Sequence, residues 1–221
     1  MPLILYIALK EYNTIYKWLI KTLILLKRTR WCCVKNLYNN EQSYGQISKW
    51  LHWGMAIFLI ALISIGTYMT GLDDTDPNRF KMMGMHKSFG AIFMMLAILR
   101  LIWVRISRSP SLPKALSGWE VLLSRTITFF LYTLMLAIPF SGYAMTNFAG
   151  YPVSLFGALE LPQIFSKDIE MAKLAKDAHG TLVYALLLSV FFHVAGALKH
   201  RFLDSPDVDV LPRMTGIKKR S

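Results

Sequence analysis

Between Ala178 and Leu198 the chain runs for 21 residues without Asp, Glu, Lys or Arg. As a helix that run rises about 31 Å, enough to cross the roughly 30 Å hydrocarbon core of a bilayer. It contains two histidines, His179 and His193, fourteen positions apart. Fourteen steps of about 100° fall about 40° short of four turns, so both rings leave one face, separated by about 21 Å of rise. One imidazole therefore lies near each membrane surface. A lone intramembrane histidine is either a hydrogen-bonded packing residue or a functional group, and ionisable side chains at such depths are rare and mostly functional. Partners at matching depths on other helices decide between the two.

Three further runs are apolar enough to span. The first covers about 50–70, with His52 in its first turn between Trp50 and Trp53, residues suited to the interface. The second covers about 86–104 and opens on His86, with Gly84 and Gly90 on either side to let a flat group approach the backbone. The third, about 127–145, carries neither histidine nor charge, and Pro139 and Gly142 are expected to bend its far end. With the fourth at about 178–200, the fold class is an all-α integral membrane four-helix bundle. A composition 54% hydrophobic and 17% charged agrees with one membrane domain. Residues 146–177 read as a long loop ending in a short surface helix within KDIEMAKLAKDAH.

The net charge of +12 is distributed as a membrane orientation signal, not as a nucleic-acid footprint. Residues 1–49, 105–125 and 199–221 hold 18 Lys and Arg, against 6 in the opposite loops 71–87 and 146–178. Both termini are therefore expected on the cytoplasmic side. Residues 1–43 are apolar but interrupted by Lys10, Glu11, Lys17 and Lys21, and lack the order of a signal peptide. They read as an interfacial segment, a disordered basic tail, or sequence upstream of the true start. The expectation is a poorly ordered or mis-extended segment ahead of a domain at 44–221.

Helix direction now fixes depth. His52 and His193 lie at the inner level, His86 and His179 at the outer level, so four of the five histidines form two pairs on three helices. Zinc sites usually take four side-chain ligands, and each level offers two. Two axial imidazoles are what a haem iron takes beyond its porphyrin nitrogens, and bundle interiors hold such cofactors. Cys32 and Cys33 are adjacent and form no CxxCH attachment motif, so the two haems would be non-covalent, b-type. With both axial positions filled, such a centre passes single electrons and does not activate oxygen. A transporter or purely structural membrane protein would need the histidine pattern to be coincidental.

Other residues keep two readings. Arg100 is either an anchor at the span end or a partner for a haem propionate. His200, beside Lys199 and Arg201, is an interfacial residue, a propionate partner or a quinone contact. Lys87, Lys173 and Lys176, near the outer pair, either attract an anionic donor, bind propionates or form a solvated face.

These residues carry a resemblance. YGQISKWLHWGMA with His52, MHKSFGAI with His86, DAHGTL with His179 and FFHVAGALKHRF with His193 and His200 resemble the bacterial cytochrome b561 family, as does the LPRM…KKRS ending. The resemblance covers about four-fifths of the chain, from Tyr44 onward. It implies two b-type haems held by those four histidines, a multi-pass protein of the bacterial cytoplasmic (inner) membrane, and electron exchange with ubiquinone. For some members it further implies oxidation of superoxide at the outer haem. Another role open to such a chain is that of a haem-bearing membrane anchor relaying electrons for a partner dehydrogenase or hydrogenase.

Overall fold

The computed structural model describes residues 36–220, and the expectations for residues 1–35 lie outside the described residues. Among the described residues four helices are long and apolar enough to cross a membrane: α1 (Gln46–Thr70), α2 (Pro77–Ile106), α3 (Gly118–Phe148) and α4 (Ile169–Phe202). Each starts earlier than hydropathy alone indicates, and at α2, α3 and α4 a polar cap lies outside the apolar run. Asp76 accepts from the Asn78 N–H ahead of Pro77, and Asp168 accepts from the Glu170 and Met171 N–H groups. At Ser117 the backbone N–H donates to Glu120 Oε2 at 3.1 Å. The membrane-facing surfaces are apolar, with Ile57, Ile60, Leu99, Ile102, Phe129, Leu188 and Phe191 all exposed on the isolated chain. That arrangement suits lipid as the solvent.

The segment read as a separate surface helix is instead the start of α4, which runs unbroken for 34 residues. No residue between Asp168 and Ala178 breaks a helix, and the Glu170–Lys173 pair at 2.8 Å supports its first turns. At about 51 Å, α4 exceeds the hydrocarbon core by about 20 Å. The loop before it contains a short hairpin of β1 (Val153–Leu155) and β2 (Leu159–Leu161), with Val153 opposite Leu161. Its turn places Phe156 at φ 52° and Gly157 at φ 76°, both left-handed as a tight hairpin turn requires. Phe156 tolerates this because its N–H donates to the buried Ser88 hydroxyl at 3.0 Å and its ring meets Phe89 at 5.1 Å.

At mid-depth, Met55, Leu62, Phe93 and Ala97 form the buried core. Phe58 meets the edges of Phe89 and Phe93, each at 5.8 Å.

At the end that carries both described termini, short segments are tied to the helices. Asn39 accepts from Gly45 N–H at 2.9 Å and from the Ser48 hydroxyl at 2.7 Å, and its own amide donates to the Ser107 carbonyl at 2.8 Å. Tyr38 packs on Trp103 at 5.2 Å. After α4, a 3₁₀ turn at Pro206–Val208 and the short α5 (Leu211–Thr215) return across this face. Arg201 donates to the buried carboxylate of Asp209 at 2.5 Å, and the Tyr44 N–H donates to the Arg213 carbonyl at 3.1 Å.

Removing Asp209 leaves Arg201 without its buried partner, so Asp209→Ala should lower thermal stability in detergent by about 3 kcal/mol. Asp204 gives a pH signature. Hydrogen bonds from Lys199 and His200 hold its carboxyl below the usual 3.8. A depressed carboxyl stabilises the folded state above its unfolded pKa, and that contribution is lost as pH falls through the folded value. Melting curves should therefore fall below about pH 4, while Asp204→Asn, already without it, should show a lower and flatter profile.

Candidate functional site

At one level of the bundle, His52 of α1 faces His193 of α4 with ring centroids 6.1 Å apart. At the other, His86 of α2 faces His179 of α4 at 6.3 Å. A metal–nitrogen bond of about 2 Å on each side accounts for most of either separation, and the two ring radii for the rest. The helices that carry each pair do not pack on one another. α1 packs on α2, α2 on α3 and α3 on α4, whereas neither α1 nor α2 packs its backbone against α4. The imidazoles thus reach across gaps that a close-packed bundle would not leave.

Each outer ring is seated on a glycine of a neighbouring helix. A Cβ at Gly66 would stand 3.2 Å from His86 Cε1, and one at Gly142 would stand 3.2 Å from His179 Cε1 and 3.3 Å from its Nδ1. No larger residue fits without moving the ring. Gly142, expected from the sequence to bend α3, thus also has a packing role. His179 Nδ1 lies 2.9 Å from the Ile138 carbonyl and 3.0 Å from Ser141 Oγ. A carbonyl only accepts, so Nδ1 carries the proton and Nε2 keeps its lone pair free for a metal. His86 Nδ1 is buried without a partner.

The inner level is built differently. Arg100, read as either an anchor at the span end or a propionate partner, turns its side chain into the bundle. Its Nη2 lies 3.1 Å from His52 Nδ1 and its guanidinium carbon 5.8 Å from the centre of the Tyr132 ring. Its Nε is buried and unpaired. A guanidinium only donates, so this contact requires His52 Nδ1 to accept. A ring that binds metal through Nε2 must instead carry its proton on Nδ1, which frees Arg100 for an anion.

A flat, metal-centred macrocycle with anionic arms fits these features. The donor set is two imidazoles per level, the rings are spaced for one metal ion, and the helices are parted where a plane would enter. A Cβ at Gly90 or Gly196, on the faces of His86 and His193, would meet nothing within 4 Å. The orphaned Arg100 Nε supplies a cation for a carboxylate arm.

His200 belongs to neither pair. Its Nδ1 lies 2.6 Å from Asp204 Oδ2, and Lys199 Nζ bridges Asp204 at 2.7 Å and Glu120 at 2.8 Å. Glu120, His200 and Asp204 are close enough to hold a cation, but the Lys199 ammonium already bonds both carboxylates. Lys173 pairs with Glu170 on an exposed surface, in keeping with a solvated face. Gly66, Ser141, Ile138 and Tyr132 were not singled out from the sequence. One signal pointed to Gly66, since the fourteen-residue step from His179 to His193 also takes His52 to Gly66 and His86 to Arg100.

Comparison with known proteins agrees with this geometry. Residues 43–216 match the family model described as prokaryotic cytochrome b561. Cytochrome b561 homolog 2 of Escherichia coli is 33% identical over 178 residues, covering 80% of this chain and 94% of that protein. A cytochrome of this kind implies b-type haem, which the paired imidazoles, glycine seats and parted helices accommodate. The chain therefore belongs to the prokaryotic cytochrome b561 family, as a four-helix membrane b-type cytochrome of electron transfer.

Proposed function

We propose that the chain holds two b-type haems, the inner between His52 and His193 and the outer between His86 and His179, and carries single electrons from an outer-side donor to ubiquinone. The observation that supports this reading best is the pair of imidazole couples, 6.1 and 6.3 Å between centroids, each bridging helices that do not pack together. When bound, each haem would supply an iron that exchanges one electron. The chain's own residues do the rest. His179 is oriented by Ile138 and Ser141, Gly66 and Gly142 leave room for the outer rings, and Arg100 would offer its guanidinium to a propionate. Phe58, Phe89 and Phe93 keep the space between the levels dry.

The positive-inside bias supports a bacterial inner-membrane orientation with both termini cytoplasmic. In it the outer pair faces the periplasm, where superoxide is a suitable one-electron donor. Two superoxide anions oxidised to O₂ release the two electrons that, with two protons, reduce one quinone. For that proton chemistry the reading assigns His200, whose Nδ1 bonds Asp204 and which would offer its other ring nitrogen to a quinone headgroup.

Pyridine haemochromogen analysis of the detergent-purified protein should count two b-type haems per chain; none would sink the reading. His179→Ala should lose one haem and keep the other, and simultaneous loss of both would count against the pairing. Gly142→Ala, whose methyl would press on the His179 ring, should reduce outer haem occupancy several-fold and leave the inner haem at its wild-type level, as read from low-temperature difference spectra.

A further inference from the structure

The two levels present opposite electrostatics to whatever they bind. At the inner level a guanidinium, which stays charged in any protein setting, lies 3.1 Å from the ligand ring of His52. It is half-buried, its Nε is wholly enclosed, and its field is little screened there. A cation beside an iron centre penalises the oxidised state, which carries one more positive charge. Whether it faces His52 or neutralises a carboxylate arm, Arg100 therefore favours the reduced inner site.

At the outer level the ligand itself is made more electron-rich. The Ser141 hydroxyl donates to the Ile138 carbonyl at 2.7 Å, which leaves its oxygen to accept from His179 Nδ1–H at 3.0 Å. The same N–H faces the Ile138 carbonyl at 2.9 Å. Donation by the distal ring nitrogen raises the basicity of the coordinating one and favours the oxidised metal. Lys87 is the nearest cation to this level in sequence, but it follows His86 directly and so leaves α2 about 100° round from the ligand face.

Resting on the two-haem reading, we propose that Arg100 and Ser141 act as opposed potential-setting residues. Arg100 raises the reduction potential of the inner site and Ser141, through His179, lowers that of the outer. An electron entering at the outer level then runs downhill to the inner level and waits there, beside His200, for the quinone.

Potentiometry on the purified two-haem protein tests this, with the inner component identified as the one that survives His179→Ala. The inner component should be reduced first. Arg100→Gln should lower the inner potential and leave the outer unmoved, so that the two waves converge. Arg100→Lys, which keeps the charge, should hold most of the wild-type separation, whereas a packing role would make Lys and Gln alike. Ser141→Ala should raise the outer potential alone, and together with the wild-type order it decides the matter if Arg100→Gln loses its inner haem. Two haems with equal or inverted potentials, or an Arg100→Gln shift felt equally by both, would overturn the inference and leave the electron-transfer reading standing. A wild-type protein without haem would remove both.

Discussion

The gap between α4 and the first two helices is the constraint on which the rest of the structure depends. Membrane helices associate through close packing and small contacts, since lipid offers no hydrophobic drive for them to meet. Here α1 and α2 keep off α4, and what bridges the space is two pairs of imidazoles at two depths. The other devices serve that spacing. α3 supplies the packing that α1 and α2 deny α4, and glycines at 66 and 142 give the outer rings their seats. The segments flanking the helices at the terminal-bearing end join the packed α1–α2 pair to α4, with Asn39 tied to Ser48 and Ser107, the Tyr44 N–H to the Arg213 carbonyl, and Arg201 to Asp209.

Much of this was legible in the sequence because a bilayer makes depth a readable coordinate. Span order and charge asymmetry alone matched His52 with His193 and His86 with His179, and the structure brings those rings together. Fourteen-residue spacing carried the information, since it returns nearly to the same helical face. What sequence could not give was the facing of one helix against another. Gly142 shows this well: beside Pro139 it looked like a bend, and only the approach of α4 reveals it as the seat of His179. Arg100 had two readings because its long side chain can reach a boundary or an interior from one Cα. The hairpin at 153–161 was hidden by its strands of three residues, too short for alternation to register. The unbroken start of α4 was misread because its charges signalled a surface, although charge along a helix ends membrane burial and not the helix.

The two ends of the bundle solve different problems. At the hairpin end the chain is fixed through backbone groups, the hairpin on Ser88 and the Ile164 N–H after it on Asn147, both side chains almost wholly buried. The inner face relies on charge, with Lys199 spanning Glu120 and Asp204 and with Arg201 on Asp209. A hydrogen-bonded cap is indifferent to pH and salt, whereas an ion-pair network responds to both. Sensitivity to the aqueous phase is therefore concentrated at the end that carries both described termini.

The aromatic cluster of Phe58, Phe89 and Phe93 has an electrical meaning. It is an insulating wall without a polar side chain of its own, so it offers no route for a proton to accompany an electron between the levels. On the proposed two-haem reading, each inward transfer would move an uncompensated negative charge through the membrane field. Against an inside-negative voltage that movement costs about 2.3 kcal/mol per charge for a full crossing at 100 mV. The protein's rate would thus follow the energised state of its membrane, slowing as the voltage builds and quickening as it collapses.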